Sequence, residues 1–165
     1  MAELTNLETK LGEVIGLAMA AQDATKKVGR LVQKQGHADL AQTLQTMAEE
    51  AAQAAERGTR IAEGIEGKKS AILKEARSVK TKAREMMSTY LDSDADALDG
   101  LEFLTMAEAS EVGHWSVLQQ LNRKARHPEL GALIKEQVPI QQRHFRTTME
   151  GSKRLAAEED PNETA

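Results

Sequence analysis

The chain has 165 residues, of which 40% are apolar and 29% charged, a composition typical of one soluble globular domain. Aromatic residues make up only 2%, so alanine and aliphatic side chains must form the core, as in closely packed helices. The net charge is −4, with acids and bases mixed along the chain, which argues against a nucleic-acid-binding surface. The absence of cysteine excludes disulfides and thiol chemistry.

The first residues carry no pattern of charges followed by an apolar run, so we expect no signal peptide. The longest apolar stretches are much shorter than a membrane span, and we expect no membrane contact. A cytoplasmic protein is therefore the default expectation.

Two long amphipathic helices are predicted at the start of the chain. Thr5 and Glu8 have the spacing of a capping box, and an apolar stripe follows until Gly36, which is typical of a helix C-terminus. A second stripe runs from near Ala38 to Gly67. Because so few residues separate the two stripes, the sequence predicts an antiparallel pair of helices.

Two more long helices are predicted in the second half, after a connecting segment. Residues 70–91 are basic and only weakly periodic, which indicates one or two helices in a long crossover. The periodic segments 95–125 and 128–157 then predict a second antiparallel pair. The polar, acidic residues 158–165 are predicted to be a disordered tail, which leaves 1–157 as one domain.

This order of elements predicts an all-α fold. Two helical hairpins joined by a long connection are the layout of a ferritin-like up-down-down-up four-helix bundle, with a helical crossover between helices 2 and 3. No strand pattern interrupts the helical periodicity.

A Glu-x-x-His unit lies in the fourth long segment. Glu108, Glu111, Trp115 and Leu118 follow one another at steps of three or four, so two carboxylates share a line that should face the core. His114 is three residues after Glu111, within reach of its side chain. Ferritin-like di-metal sites use such pairs, so these residues are the candidate metal ligands.

Several short motifs are similar to those of the YciE/YciF type of ferritin-like bacterial stress-associated proteins. The motifs are the double glutamate Glu49-Glu50 followed by Glu56-Arg57, the segment ASEVGHW at 109–115, and the turn HPELGALI at 127–134. The resemblance implies a ferritin-like four-helix bundle and a role in stress response.

The chain also departs from the pattern of that family. Gly113 stands where the family has a glutamate, and Gln141 and Gln142 stand where it has paired glutamates. Small residues such as Ala52 and Ala54 replace further ligand positions in the second helix. A neutral amide is a poor ligand for iron or manganese. The resemblance therefore implies that the di-metal site of the family is degraded or lost here.

The sequence leaves several functions open. The preferred one is a non-catalytic bundle, without a cofactor, that acts by binding or by homodimerising through an apolar face with Met86, Met87, Phe103 and Leu104. Glu111 and His114 would then belong to a buried polar network with Gln141, Arg143 or His144, or would contact a small ligand or a subunit.

The main alternative is a divergent di-iron or di-manganese protein or oxidase, and its ligands would be Glu108, Glu111, His114, His144, Glu50 and Asp23. A helical adaptor outside the ferritin-like group is a third interpretation. The alanine-rich middles of the first two helices predict close packing, or else a small cavity that holds water or an apolar molecule.

Overall fold

A computed structural model describes residues 2–164, and within this range the chain forms five α-helices and no strand. The all-α prediction is therefore confirmed. Met1 and Ala165, the outer ends of the predicted domain and tail, lie outside the described residues. The helices are α1 (Asn6–Lys34), α2 (Ala38–Gly64), α3 (Lys69–Tyr90), α4 (Ala97–Ala125) and α5 (Pro128–Ala156).

Local sequence signals explain the helix ends. Thr5 and Glu8 form the predicted capping box of α1, and Asp96 and Asp99 form a second one at the start of α4. Gly36 and Gly67 have φ angles of 92° and 71°, which glycine adopts without strain, and both lie in turns beyond helix ends. Helix α2 ends at Gly64, three residues before Gly67, the glycine at which it was predicted to end.

The turn between α4 and α5 is held by side chains of its own. Arg126 adopts a left-handed conformation with φ 56°, and the side chain of Asn122 bonds both backbone groups of His127. The Nδ1 atom of His127 accepts a hydrogen bond from the backbone N–H of Leu130, so this histidine caps the start of α5.

The predicted connecting segment is one helix, α3, which runs along α1 in the same direction. Near the start of α1, Gly12 faces Ile72, and further along Asp23 pairs with Arg84. α2 and α4 run antiparallel to α1, since Gly58 packs against Ile15 and Gly100 packs against Val28. α5 returns antiparallel to α4, with Gly131 beside Asn122 and Gly151 beside Leu101.

Two glycines let α3 lie close to α1. A Cβ atom at Gly12 would lie 2.9 Å from the carbonyl oxygen of Ile72, and one at Gly16 would overlap the carbonyl oxygen of Ala76. Both glycines are buried, and α3 buries Ile72 and Ala76 against this part of α1. From Arg77 to its end, α3 has no buried residue, so its first half makes most of the apolar contact.

Two apolar clusters fill the space between the helices. The first surrounds Trp115 and Leu11, and the second surrounds Leu44 and Leu101. Buried polar residues of α1, α4 and α5 accompany them, including Thr25, Glu108, Glu111, Gln141, His144 and Thr148. Buried polar side chains generally require hydrogen-bond partners, and the contacts among these residues define the candidate functional site.

The apolar face predicted for a dimer is only partly at the surface. Phe103 and Leu104 are buried in the second cluster because α4 turns them inward, so the expectation that they form an outer face is wrong. Met86 is 40% exposed and remains available. Among the described helices, none combines the length and apolar character needed to cross a membrane.

Candidate functional site

Helices α2, α4 and α5 bring four polar side chains together inside the bundle. Glu108 comes from α4, Gln141 and His144 from α5, and Glu50 from α2. The first three are between 1% and 2% exposed, and the side chain of Glu50 is 22% exposed. These residues form a chain that leads from the interior to the surface, and we call it the Glu108 network.

Hydrogen bonds and ion pairs connect the Glu108 network. The side-chain amide of Gln141 donates to Glu108 Oε2, and His144 Nδ1 lies 3.6 Å from the same oxygen. On the other side of the ring, His144 Nε2 lies 2.6 Å from Glu50 Oε2, and Arg143 donates to Glu50 Oε1. Both carboxylates therefore have partners that neutralise or solvate them.

The protonation of the Glu108 network follows from these contacts. Burial lowers the pKa of His144, but hydrogen bonds and charge from Glu108 and Glu50 outweigh burial, and its pKa lies above the usual range. Burial raises the pKa of Glu50, but His144 and Arg143 outweigh it, so the Glu50 pKa is lowered. An imidazolium at His144 can donate to Glu50 through Nε2 while its Nδ1 faces Glu108 as an ion pair. Two carboxylates are then balanced by two cations.

Glu111 lies one helical turn from Glu108, yet its environment is different. It is 3% exposed, and its carboxyl group has no hydrogen bond or ion pair with any residue in the range 2–164. Burial, together with the nearby charge of Glu108, raises the pKa of Glu111 well above its usual range. Instead of protein partners, it faces a small cavity between α1, α3 and α4.

Two of the predicted ligands take other partners. His114 Nδ1 lies 3.2 Å from Glu13 Oε2 on α1 and 3.3 Å from Lys10 Nζ, in a half-buried position. Asp23 binds Arg84 and Lys80 of α3 at the surface. The structure thus brings Glu50, Glu108 and His144 together, with Glu111 adjacent, and pairs His114 and Asp23 with residues of other helices.

This donor set fits a di-metal centre poorly. Such a centre requires several free carboxylate and imidazole ligands, whereas both nitrogens of His144 already face carboxylates and a neutral amide bonds Glu108. Within residues 2–164, no cluster of three or more histidine, aspartate or glutamate side chains is arranged to hold a metal ion. What the arrangement provides is a rigid, charge-balanced connection between three helices.

The amino-acid sequence predicted the members of the Glu108 network only in part. Gln141, Arg143 and His144 were expected to join a network with Glu111 and His114, but Gln141 and His144 contact Glu108 instead, and Arg143 contacts Glu50. The pairing of Glu50 with Arg143 was not predicted, because a contact between α2 and α5 does not follow from local spacing. The available signal in the sequence was the pair of adjacent basic residues Arg143 and His144, which could balance buried glutamates of neighbouring helices.

The indole N–H of Trp115 has no hydrogen-bond partner among the described residues 2–164, although Trp115 is 1% exposed within the first apolar cluster. Comparisons with models of protein families, with curated proteins and with solved structures found no match for this chain, so the interpretation of the site rests on its own geometry.

Proposed function

We propose that this chain is a ferritin-like four-helix bundle protein, similar to the YciE/YciF type, that has no working di-metal centre and acts by binding and self-association in the cytoplasm. Helices α1, α2, α4 and α5 would be the bundle, and α3 would be its crossover helix. A role in stress response is the part of the proposal that depends on the sequence resemblance alone.

The path of the chain supports the ferritin-like part of the proposal. The first and last pairs of helices are antiparallel hairpins, and α3 runs the length of α1 between them. A connection of this kind is the feature that distinguishes ferritin-like bundles from bundles with only short loops.

The charge balance of the Glu108 network carries the non-metal part of the proposal. Glu108 and Glu50 are paired with His144 and Arg143, and Gln141 completes the contacts of Glu108. A divalent cation would have to displace the imidazolium proton and the amide bond before it gained a ligand. We therefore assign the network to stabilising the contact of α4 with α5 and α2.

The distribution of exposed apolar residues supports self-association. In the part of the chain that the structure describes, the large apolar side chains classed as exposed are Met86, Tyr90, Met106 and Val117, and all of them are on α3 or α4. Between Met106 and Val117, the outer face of α4 presents Ala109 and Gly113, and a Cβ atom at Gly113 would meet nothing within 4 Å. We propose that a second copy of the chain packs on this outer face of α4.

The dimer is tested by placing a charge on that face. Val117→Glu should convert a dimer to a monomer in analytical ultracentrifugation, because a carboxylate buried at a symmetric contact is repelled by its own copy. The matched control is Gln142→Glu, which adds the same charge at an exposed position of α5 and should leave the dimer intact. A wild-type chain that is monomeric throughout the concentration range would refute self-association.

A divergent di-iron or di-manganese centre is the second candidate function. It is favoured by one observation, which is that Glu50, Glu108 and His144 converge from three helices beside the unpaired Glu111. Metal analysis after purification without chelator separates the two candidates. The preferred function predicts much less than one iron or manganese ion per chain, whether or not Glu111 is replaced by alanine. About two ions per chain that disappear in Glu111→Ala would establish the second.

A further inference from the structure

A small apolar cavity lies between α1, α3 and α4. Its volume is about 40 Å³. On that scale one water needs roughly 10–15 Å³, so the cavity can hold a group of a few non-hydrogen atoms. Its wall is mostly apolar and includes Ala20, Ala21, Ala83, Met87, Phe103 and Ala107.

Glu111 is the buried polar residue in this wall. Its side chain is almost fully enclosed, and it has no hydrogen-bond partner in residues 2–164, whereas Glu108 on the preceding turn is fully engaged. A buried carboxyl group without a partner is costly, and proteins generally provide a partner or bind one. The cavity is the space in which such a partner would lie.

The second half of α3 covers the cavity and is weakly attached. Residues 77–90 include no buried side chain, and Met86 at the cavity is 40% exposed. Its polar attachments are ion pairs of Lys80 and Arg84 with Asp23, and a hydrogen bond from Lys27 to the carbonyl oxygen of Leu91 just beyond the helix. Met86 and Met87 are flexible side chains that adapt to a guest, so a ligand can enter from this side.

We propose that the cavity binds a small neutral amphiphile, with an apolar body among the alanines and methionines and one hydroxyl group on Glu111. A hydroxyl group can donate to this carboxyl group in either protonation state. Cationic ligands are disfavoured because an ammonium group would lose its hydration among apolar side chains, and the only charged residue of the described range besides Glu111 that borders the cavity, Arg84, is itself positive. Long chains are disfavoured by the volume.

The cavity site goes beyond the proposed function. It uses the inner face of α4 toward α1 and α3, whereas the dimer would use Met106 and Val117 on the outer face. Val117→Glu should therefore leave cavity binding unchanged, and the two proposals can fail separately.

The probe is 1-propanol, titrated into the full chain labelled with ¹⁵N in the presence of chelator. We expect saturable shifts confined to amides of α1, α3 and α4. The apolar analogue 1-chloropropane and the cation propylammonium should each bind about tenfold more weakly than 1-propanol, because neither is a neutral ligand that donates a hydrogen bond.

Variants locate the site. Glu111→Gln keeps a hydrogen-bonding group and should retain binding, whereas Glu111→Leu should weaken it about tenfold. The matched control Glu102→Leu changes an exposed glutamate of the same helix and should have no effect. If Glu111→Leu fails to fold, Ala83→Phe fills the cavity from α3 and should block binding. The proposal is overturned if wild type shows no saturable shifts, if 1-chloropropane binds equally well, or if the cavity variants bind like wild type.

Discussion

Glu108 and Glu111 are chemically identical, lie one turn apart on α4 and are both buried, yet their surroundings differ. Polar side chains surround the carboxyl group of Glu108, whereas mostly apolar side chains surround that of Glu111. Toward α5 and α2, Glu108 meets an amide and a histidine, and the ion pairs continue to Arg143 at the surface. Toward α1 and α3, Glu111 meets alanines, methionines and a cavity. The first carboxyl group is held by two side chains of α5, and the second has no hydrogen-bond partner within residues 2–164.

The difference arises from what the neighbouring helices contribute. α5 carries polar side chains on the face that it turns toward α4, including Gln141, His144 and Thr148, all of them buried. α1 presents small residues there, since close packing with α3 and α2 excludes larger ones. The role of a buried glutamate therefore depends on the residues that neighbouring helices place opposite it, and its position in the helical repeat does not predict that role.

Removal of Glu108 should have the largest effect on stability. Glu108→Ala leaves the buried amide of Gln141 and the Nδ1 atom of His144 without their partner and should cost about 3–5 kcal/mol in the free energy of unfolding. Urea denaturation measures this loss. Glu102→Ala, an exposed glutamate of the same helix, is the control and should change stability by less than about 0.5 kcal/mol. Equal effects of the two substitutions would show that the Glu108 network contributes nothing.

A smaller effect is expected where α3 contacts α1 on the Glu111 side. Gly16→Ala places a Cβ atom against the carbonyl oxygen of Ala76 and should destabilise by about 1–3 kcal/mol. Hydrogen exchange should show that the loss is concentrated in α3. Gly29→Ala, on the same helix, adds a Cβ atom that would lie 3.8 Å from the side chain of Leu44, an ordinary contact, and should instead stabilise by up to about 1 kcal/mol. Stabilisation by both substitutions would mean that α3 does not lie against Gly16.

The smallest expected effect is a change in the pH dependence of stability. Because the pKa of Glu111 is raised in the folded chain, the folded state holds a proton that the unfolded state releases above the ordinary value of 4.5. The contribution of Glu111 to the free energy of unfolding of the wild-type chain therefore falls as the pH rises above 4.5.

Glu111→Gln cannot titrate, so its free energy of unfolding should rise relative to wild type between about pH 4.5 and pH 7. Urea denaturation at several pH values in this interval measures the difference. Glu102→Gln should show no such trend, since Glu102 is exposed. A relative stability of Glu111→Gln that is flat or falls with pH would contradict the raised pKa.

The helices themselves were largely predictable from the sequence. The capping residues Thr5 and Asp96, the turn glycines and the apolar stripes are local signals, and the helix ends differ from the predicted ones by only a few residues. The exact end of α2 was missed because the helix stops at Gly64, with Ile65 extended, and Gly67 takes its positive φ angle only in the turn that follows.

The site was less predictable, for a physical reason. Helical spacing showed that Glu108 and Glu111 share a buried face, but the orientation of each side chain depends on neighbours far away in the chain. The same limit explains why His114 and Asp23 were grouped with them, although they pair with Glu13 and Arg84. The sequence also gave no indication that Gly12 and Gly16 are the contact for α3.

Anomalous diffraction at the iron and manganese edges, from crystals of chain exposed to both metals, tests the central claim most directly. The account predicts no anomalous peak beside Glu108, with the amide of Gln141 still bonded to that carboxylate and His144 between Glu108 and Glu50. Two adjacent peaks bound by Glu50, Glu108, Glu111 and His144 would contradict it.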